Sequence, residues 1–289
     1  MPPHLGIGLI TYNRCEILHE TIAQVRRLTQ HVPASLVVAD DGSTDETLPM
    51  LDALGVGYVS GANAGIAWNK NRALFLLADV LACDIVILLE DDTRPARLGW
   101  ETPWMQLAGR IGHVNVAMDH LRDHFLYGSG TPADPIGSSV ITAQCTAFSQ
   151  EALRWGGYLD PRFRGFGHEH VEHSIRLSRL GYGGGEEQID GERRTVFKLI
   201  WGAFDYVATE SFIDAAQVEE NLALTQELVG DQRYRAPWAD DADARRFRAE
   251  ISAALARHRE GFSLHPGGSR PSPPDGTPPW EITRPRLPR

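Results

Sequence analysis

Three cysteines in 289 residues, Cys15, Cys83 and Cys145, are too few and too far apart for a disulfide framework, and no CxxC pair is present. A reducing, cytoplasmic setting is the expectation. The N-terminus, MPPHLGIGLITYNR, has neither a charged leader nor a long apolar core, so it does not read as a signal peptide. The most apolar segment, ALFLLADVLACDIVILL from Ala73 to Leu89, is broken by Asp79 and Asp84. It reads as a helix followed by a strand, not as a membrane span. Basic charge is also scarce, with 28 Lys and Arg against 38 Asp and Glu and a formal net charge of -10. Phosphate contacts need clustered cations, so the chain is a poor general partner for nucleic acid or an anionic membrane. No internal repeat is visible.

What is present is a core-forming composition, 42% hydrophobic and 23% charged, enough for one large α/β unit. LGIGLI (5–10), SLVVAD (35–40), VGYVSG (56–61) and DIVILLE (84–90) are short apolar runs, each ending in polar residues. Between them, Glu16 to Gln30 and Ala64 to Asp79 carry helical apolar spacing. Strand and helix alternate with short loops, which predicts a mostly parallel sheet covered on both faces. Ligands of such sheets bind beyond the carboxyl ends of the strands, where Thr11, Asp40, Asp41 and Glu90–Asp92 fall. Ser43 or Thr44 is placed to cap the helix after the second strand. The pattern weakens from Gly99 to Gly165, helices return near 218–228 and 243–257, and a Pro/Gly-rich run begins at Pro266.

Two acidic strand ends carry the chemistry. In ILLEDDTRP, Glu90, Asp91 and Asp92 follow a wholly apolar strand. Three adjacent carboxylates call for a compensating cation or donor, and a hard divalent ion shared with substrate phosphates is the usual one. Asp92 is the first choice as its direct ligand, with Glu90 and Asp91 near ribose hydroxyls or a metal-bound water. In VVADDGSTDET, Asp40 or Asp41 either shapes an Asx-type turn or accepts a hydrogen bond from a base N–H. Both sites together, on one sheet, favour a nucleotide.

LITYNR, VVADDGSTDET, NAGIAWNKNRAL, VILLEDDTRP and GGYLDPRFRGFGHEHVEHSIRLSRLGY, in that order, resemble the GT-A fold nucleotide-sugar glycosyltransferases of the family 2 type. The resemblance runs from about Leu5 to Tyr182. It implies a Rossmann-like α/β sheet with C-terminal helices and a Pro-rich tail. It also implies transfer of a hexosyl or N-acetylhexosaminyl group from a nucleotide diphosphate sugar, expected to be a UDP-sugar. Mn2+ or Mg2+ would assist, the anomeric centre would invert, and a hydroxyl of a saccharide, small molecule or modified base would accept. By the same resemblance Thr11 and Asp40 or Asp41 hold the base. Asn63, Gly65 and Lys70 match a segment beside the base and phosphates, with Lys for the commoner Arg. Glu90, Asp91 and Asp92 match the metal-binding carboxylates.

The segment GFGHEHVEHSIRL (165–177) packs three histidines and two glutamates into His168–His173. It fits neither HExxH nor HxxEH, so a zinc cage is disfavoured against a solvated face or a catalytic helix. The resembling family has G-W-G-x-E-D here, so Glu169 matches its acceptor-holding Glu and His170 stands in place of its base, an Asp. His170 as base, His170 as metal ligand and Glu169 as base are the open alternatives, and loss of activity is a fourth. Glu172–Arg176 reads as a structural i,i+4 pair. Trp68, Trp100, Trp104 and Trp155 read as core packing ahead of sugar stacking, and His113, His120 and His124 as satisfied or exposed histidines ahead of one metal ligand among them. The expected division is a nucleotide-sugar half (1–98), an acceptor half with C-terminal helices (99–262) and a tail (263–289). A nucleotidyltransferase and a non-catalytic sugar-nucleotide binder are the rival functions.

Overall fold

Leu5, Ile7 and Leu9 of the first strand, β1 (Leu5–Thr11), join one apolar layer, and the intervening Gly6 and Gly8 leave room on the other face. A Cβ on Gly8 would lie 2.6 Å from a Leu88 methyl and 3.1 Å from the Ala73 Cβ, so glycine is what lets a helix lie close to the strand. The computed structural model describes residues 2–31, 33–209, 214–259 and 261–265.

In chain order, α1 (Cys15–Leu28), β2 (Ala34–Asp40), α2 (Thr47–Ala53), β3 (Tyr58–Ser60), α3 (Ile66–Phe75) and β4 (Ile85–Glu90) realise the expected alternation. The helix expected over 64–79 continues past α3 as a π-helical turn, Leu76–Val80, in which Leu81 N–H donates to the Leu76 carbonyl. Next come β5 (Thr93–Pro95), α4 (Thr102–Ile111), β6 (His113–Ala117), a 3-10 turn (Asp119–His124), β7 (Phe125–Tyr127), β8 (Ile136–Ser138) and β9 (Cys145–Ser149). The rest is α5 (Gln150–Gly156), α6 (Glu169–Arg179), β10 (Gly184–Ile189), β11 (Glu192–Trp201), β12 (Phe204–Tyr206), α7 (Ala215–Leu228) and α8 (Asp241–Arg257).

The main sheet runs β3-β2-β1-β4-β9-β6-β11-β8-β7, with β10 on β11. Strands β3, β2, β1 and β4 are parallel, and β9 is antiparallel to both β4 and β6. Helices α1 and α4 cover one face through Leu18, Ile22, Val25, Trp104 and Leu107. On the other, Trp68 and Phe75 of α3 meet Phe247 and Ile251 of α8. Trp68, Trp100 and Trp104 are therefore core residues. Asp240 caps α8 and Asp214 caps α7 through their carboxylates. Helix α2 is different from the expectation. Asp45 accepts from Thr47 N–H, while Ser43 and Thr44 bond Asn13 instead and tie the turn to the end of β1.

Helix α8 returns to pack on α3, and the chain after it pairs with β2. Leu36 N–H donates to the Phe262 carbonyl, Leu264 N–H donates to the Ala34 carbonyl, and Leu264 is buried. The start of the segment expected as tail, residues 263–265, is thus packed structure at its Leu264. From Pro266 onward the tail lies outside the described residues. All three cysteines are free. Among the described residues no helix is long and apolar enough to cross a membrane.

Candidate functional site

Strand register sets the site. Thr11 lies opposite Asp40, Asp40 opposite Ser60, and Ile10 opposite Glu90, so four acidic or polar strand ends share one edge. Asn69 on α3 fastens that edge, donating to the Thr11 and Ala39 carbonyls at 3.3 and 2.8 Å. Above the edge opens a cavity of about 620 Å³. Thr11, Asp41, Asn63, Gly65, Lys70, Glu90, Asp91, Asp92, Glu169 and His170 all line it, with Asn13, Arg14, Gln144 and the exposed rings of Tyr12 and Phe166.

Asp40 does not line it. Its carboxylate is fully buried and accepts from Gly42 N–H, Ser43 N–H and Ser60 Oγ, the work of a turn-forming aspartate. Asp41 holds the opposite wall. Its Oδ1 accepts from Ala64 N–H and Arg72, and its Oδ2 accepts from Gly65 N–H. Burial raises the Asp41 pKa against those donors. Gly65 has φ 89°, and a Cβ there would lie 2.9 Å from the Gly165 nitrogen, so this glycine lets two loops of the cavity meet. Arg72 is fully buried and joins Asp41 to Glu250 of α8 at 2.9 and 3.0 Å.

The three carboxylates of ILLEDD have different partners. Glu90 pairs with the buried Lys70 at 2.8 Å. Asp91 accepts from Thr11 Oγ1 at 2.7 Å and Arg14 at 2.9 Å, yet burial outweighs both and pushes it up to about 6. Asp92 meets Arg14 at 3.2 Å and Thr209 Oγ1 at 2.9 Å. Lys70 also lies 3.7 Å from Glu169. Burial alone would lower the Lys70 pKa, but Glu90 and Glu169 outweigh it and the net direction is up.

The histidine-rich stretch is mostly not a solvated face. His168, in the left-handed region at φ 70°, launches α6. Glu172 and Arg176 form a buried bidentate pair at 2.9 and 3.0 Å, and Arg176 also donates to the Tyr158 carbonyl. His173 bonds the Gly157 carbonyl, and burial holds its pKa well below the ordinary range. Buried His113 bonds Ser174 and the Ala147 carbonyl, and burial lowers it to about 4. His120 and His124 are exposed. Only the start of α6 faces the cavity. There His170 Nδ1 lies 3.3 Å from Glu169 Oε1. Burial would raise the Glu169 pKa, but His170 and then Lys70 bring it down to about 2. Two buried oxygens of lining residues, Glu169 Oε2 and Gln144 Oε1, have no hydrogen-bond partner among the described residues. Such atoms await a donor.

Among the described residues no three His, Cys, Asp or Glu converge on a metal site. The donor set still fits a hard cation that draws the rest of its shell from a ligand, because acidic oxygens at Asp91 and Asp92 adjoin an open cavity. Five lining carboxylates, Asp41, Glu90, Asp91, Asp92 and Glu169, face the permanent cations Arg14 and Lys70. Arg14, Asn69 and Arg72 were not singled out by the sequence patterns. Arg14 and Arg72 each sit within a quoted motif, and their acidic partners were the available signal.

A mixed sheet, parallel over β3-β2-β1-β4, with helices on both faces and a cleft at its carboxyl edge, is the GT-A class of fold. Residues 7–118 match the family model described as Glycosyl transferase family 2. The chain is similar to a hyaluronan synthase of Pasteurella multocida, 26% identical over 235 residues that cover 65% of this chain and 24% of the relative. The match thus spans about a quarter of that protein. Among solved structures, a mannosyltransferase of Pyrobaculum calidifontis, in complex with GDP-Man and Mn2+, superposes with TM-score 0.53 and 16% identity, covering 94% of this chain and 77% of that one. GalNAc-T7 with UDP, GalNAc and Mn2+ superposes with TM-score 0.58 and 12% identity, covering 89% and 54%.

Proposed function

We propose that this chain transfers a sugar from a nucleotide diphosphate sugar, a UDP-sugar, to a hydroxyl acceptor, with inversion at the sugar carbon and a divalent cation at Asp92. One observation carries the reading: a single cavity joins Asp41 and Thr11, the Glu90–Asp92 carboxylates and the Glu169–His170 pair. Base, diphosphate and acceptor would lie along it in that order. A diphosphate entering a cavity richer in carboxylates than in cations needs a further positive charge. Asp92, beside Asp91, would hold it, and Mn2+ accompanies the nucleotide in both structural relatives. When bound, the metal would neutralise charge on the leaving diphosphate.

The protein's own part is proton transfer and positioning. Ionised Glu169 accepts from His170 Nδ1–H, which leaves the Nε2 lone pair to act as base. The acceptor hydroxyl gives its proton to Nε2, and its oxygen bonds the anomeric carbon. The bond from that carbon to the diphosphate oxygen breaks, and its electrons leave with the diphosphate. Glu169, whose pKa is lowered by its hydrogen bond with His170 and by Lys70, stays ionised and serves as the orienting partner. Lys70 fixes Glu90 and Glu169 at once.

Thermal melts with UDP- and GDP-sugars, with and without Mn2+, followed by NMR of the product's anomeric proton, test this reading. A metal-dependent rise with a UDP-sugar and an inverted product are expected. Binding without transfer to any acceptor would instead support a non-catalytic binder, and no stabilisation by any sugar nucleotide would refute the donor.

A further inference from the structure

We propose that Arg14 is a resident counter-ion for Asp91 and Asp92, and that a divalent metal takes those carboxylates as the donor's diphosphate draws the guanidinium away. The inference rests on the metal and donor reading above. One nitrogen of Arg14, Nη1, is shared between Asp91 Oδ1 at 2.9 Å and Asp92 Oδ2 at 3.2 Å. These are the same oxygens that a metal at Asp92 would approach, and two cations cannot crowd one such pair without strong repulsion. The other cation of the cavity is differently placed. Lys70 is 5% exposed and held by two glutamates, whereas the Arg14 side chain is 25% exposed and lies at the open side. A guanidinium is also the cation best shaped for a diphosphate, offering paired N–H donors to paired oxygens. Moving from carboxylates to diphosphate, Arg14 would exchange one charged partner for another while vacating the metal's position. Metal and nucleotide then assist each other beyond their direct contact, and the assistance is reciprocal.

The test is Mn2+ binding to the full chain, read from the electron paramagnetic resonance signal of free Mn2+ at pH 8. Without nucleotide, Arg14→Gln should bind Mn2+ about tenfold tighter than the wild type, the scale of one charge-assisted hydrogen bond. Arg14→Lys, which keeps a charge but not the fork, should gain about threefold, and it is the reserve should Arg14→Gln lose its circular-dichroism spectrum or its cooperative melt. Adding Asp92→Asn to Arg14→Gln should erase the gain, which places the ion at this site. The enhancement of Mn2+ binding by UDP should shrink in Arg14→Gln by about the factor gained without nucleotide. Unchanged or weaker nucleotide-free Mn2+ affinity in folded Arg14 variants would overturn the inference while leaving the metal reading intact. Wild type that binds no Mn2+ even with UDP would remove both.

Discussion

Arg72→Met tests the buried ion triad that supports the Asp41 wall of the cavity. The arginine is fully buried between Asp41 and Glu250 and also donates to the Asp40 and Ala62 carbonyls and to Asn69 Oδ1. Methionine keeps much of the volume and none of the donors, so Asp41 loses its counter-charge in the interior and Glu250 is left with Arg246. Breaking a buried pair from one side costs about 3–5 kcal/mol. At about 2–4 °C per kcal/mol for chains of this order, the melting temperature should fall by roughly 6–20 °C. The deficit should depend on pH with a definite sign. Burial already raises the folded-state pKa of Asp41, and loss of Arg72 raises it further. An acid with a raised folded pKa is best tolerated below its unfolded value and becomes a burden as pH climbs through the folded one. Arg72→Met should therefore lie closer to wild type at pH 5 than at pH 8. Paired thermal melts at the two pH values read this directly. A shift under about 2 °C at pH 8, or a larger deficit at pH 5, would show that the triad does not bear on stability as argued.

Three further outcomes bear on the site. His170→Ala should lose about two to four orders of magnitude in turnover with donor affinity nearly unchanged, and near-normal turnover at pH 7 would refute the base assignment. UDP should bind more tightly than CDP by about 1–3 kcal/mol if Asp41 Oδ2 accepts the base N3–H, and Asp41→Asn should narrow the gap; equal calorimetric affinities in the wild type would confine Asp41 to its wall. Metal-dependent UDP binding should weaken as pH falls through about 6, where buried Asp91 takes up a proton, and Asp92→Ala should abolish it with the fold intact; a flat profile from pH 5 to 8 counts against Asp91.

The carboxyl edge of the sheet was legible because parallel strands buried on both faces read as apolar runs that stop at polar residues. Thr11, Asp41 and Glu90–Asp92 fall at those stops and line one cavity. Asp40 shows the limit of that reading: adjacent aspartates are alike in sequence, and only the turn geometry assigns one to Gly42 and Ser43 and the other to the cavity wall. The histidine-rich stretch was ambiguous for a similar reason. Whether Glu172 and His173 meet water or core depends on Tyr158 and Gly157, which follow another helix. Between Gly99 and Gly165 the strands are short and pair out of sequence order, with β9 slotted between β4 and β6, so local periodicity had little to show. The Arg72–Glu250 bond spans 178 positions, beyond any local pattern.

That span has a consequence for how the protein is made. On a ribosome adding about 5–20 residues per second, Glu250 emerges roughly 10–35 s after Arg72. Throughout that interval the Asp41 wall carries an arginine without its distal acid. The edge of β2 likewise waits for Phe262 and Leu264, and the gap between β4 and β6 waits for β9. An unpaired strand edge is a template for the wrong neighbour. The nascent chain is thus exposed to misassembly while the segment that matches the family model, residues 7–118, is already complete. A fragment ending at residue 118 would retain that family segment yet lack the strand, the acid and the closing segment that finish its own sheet.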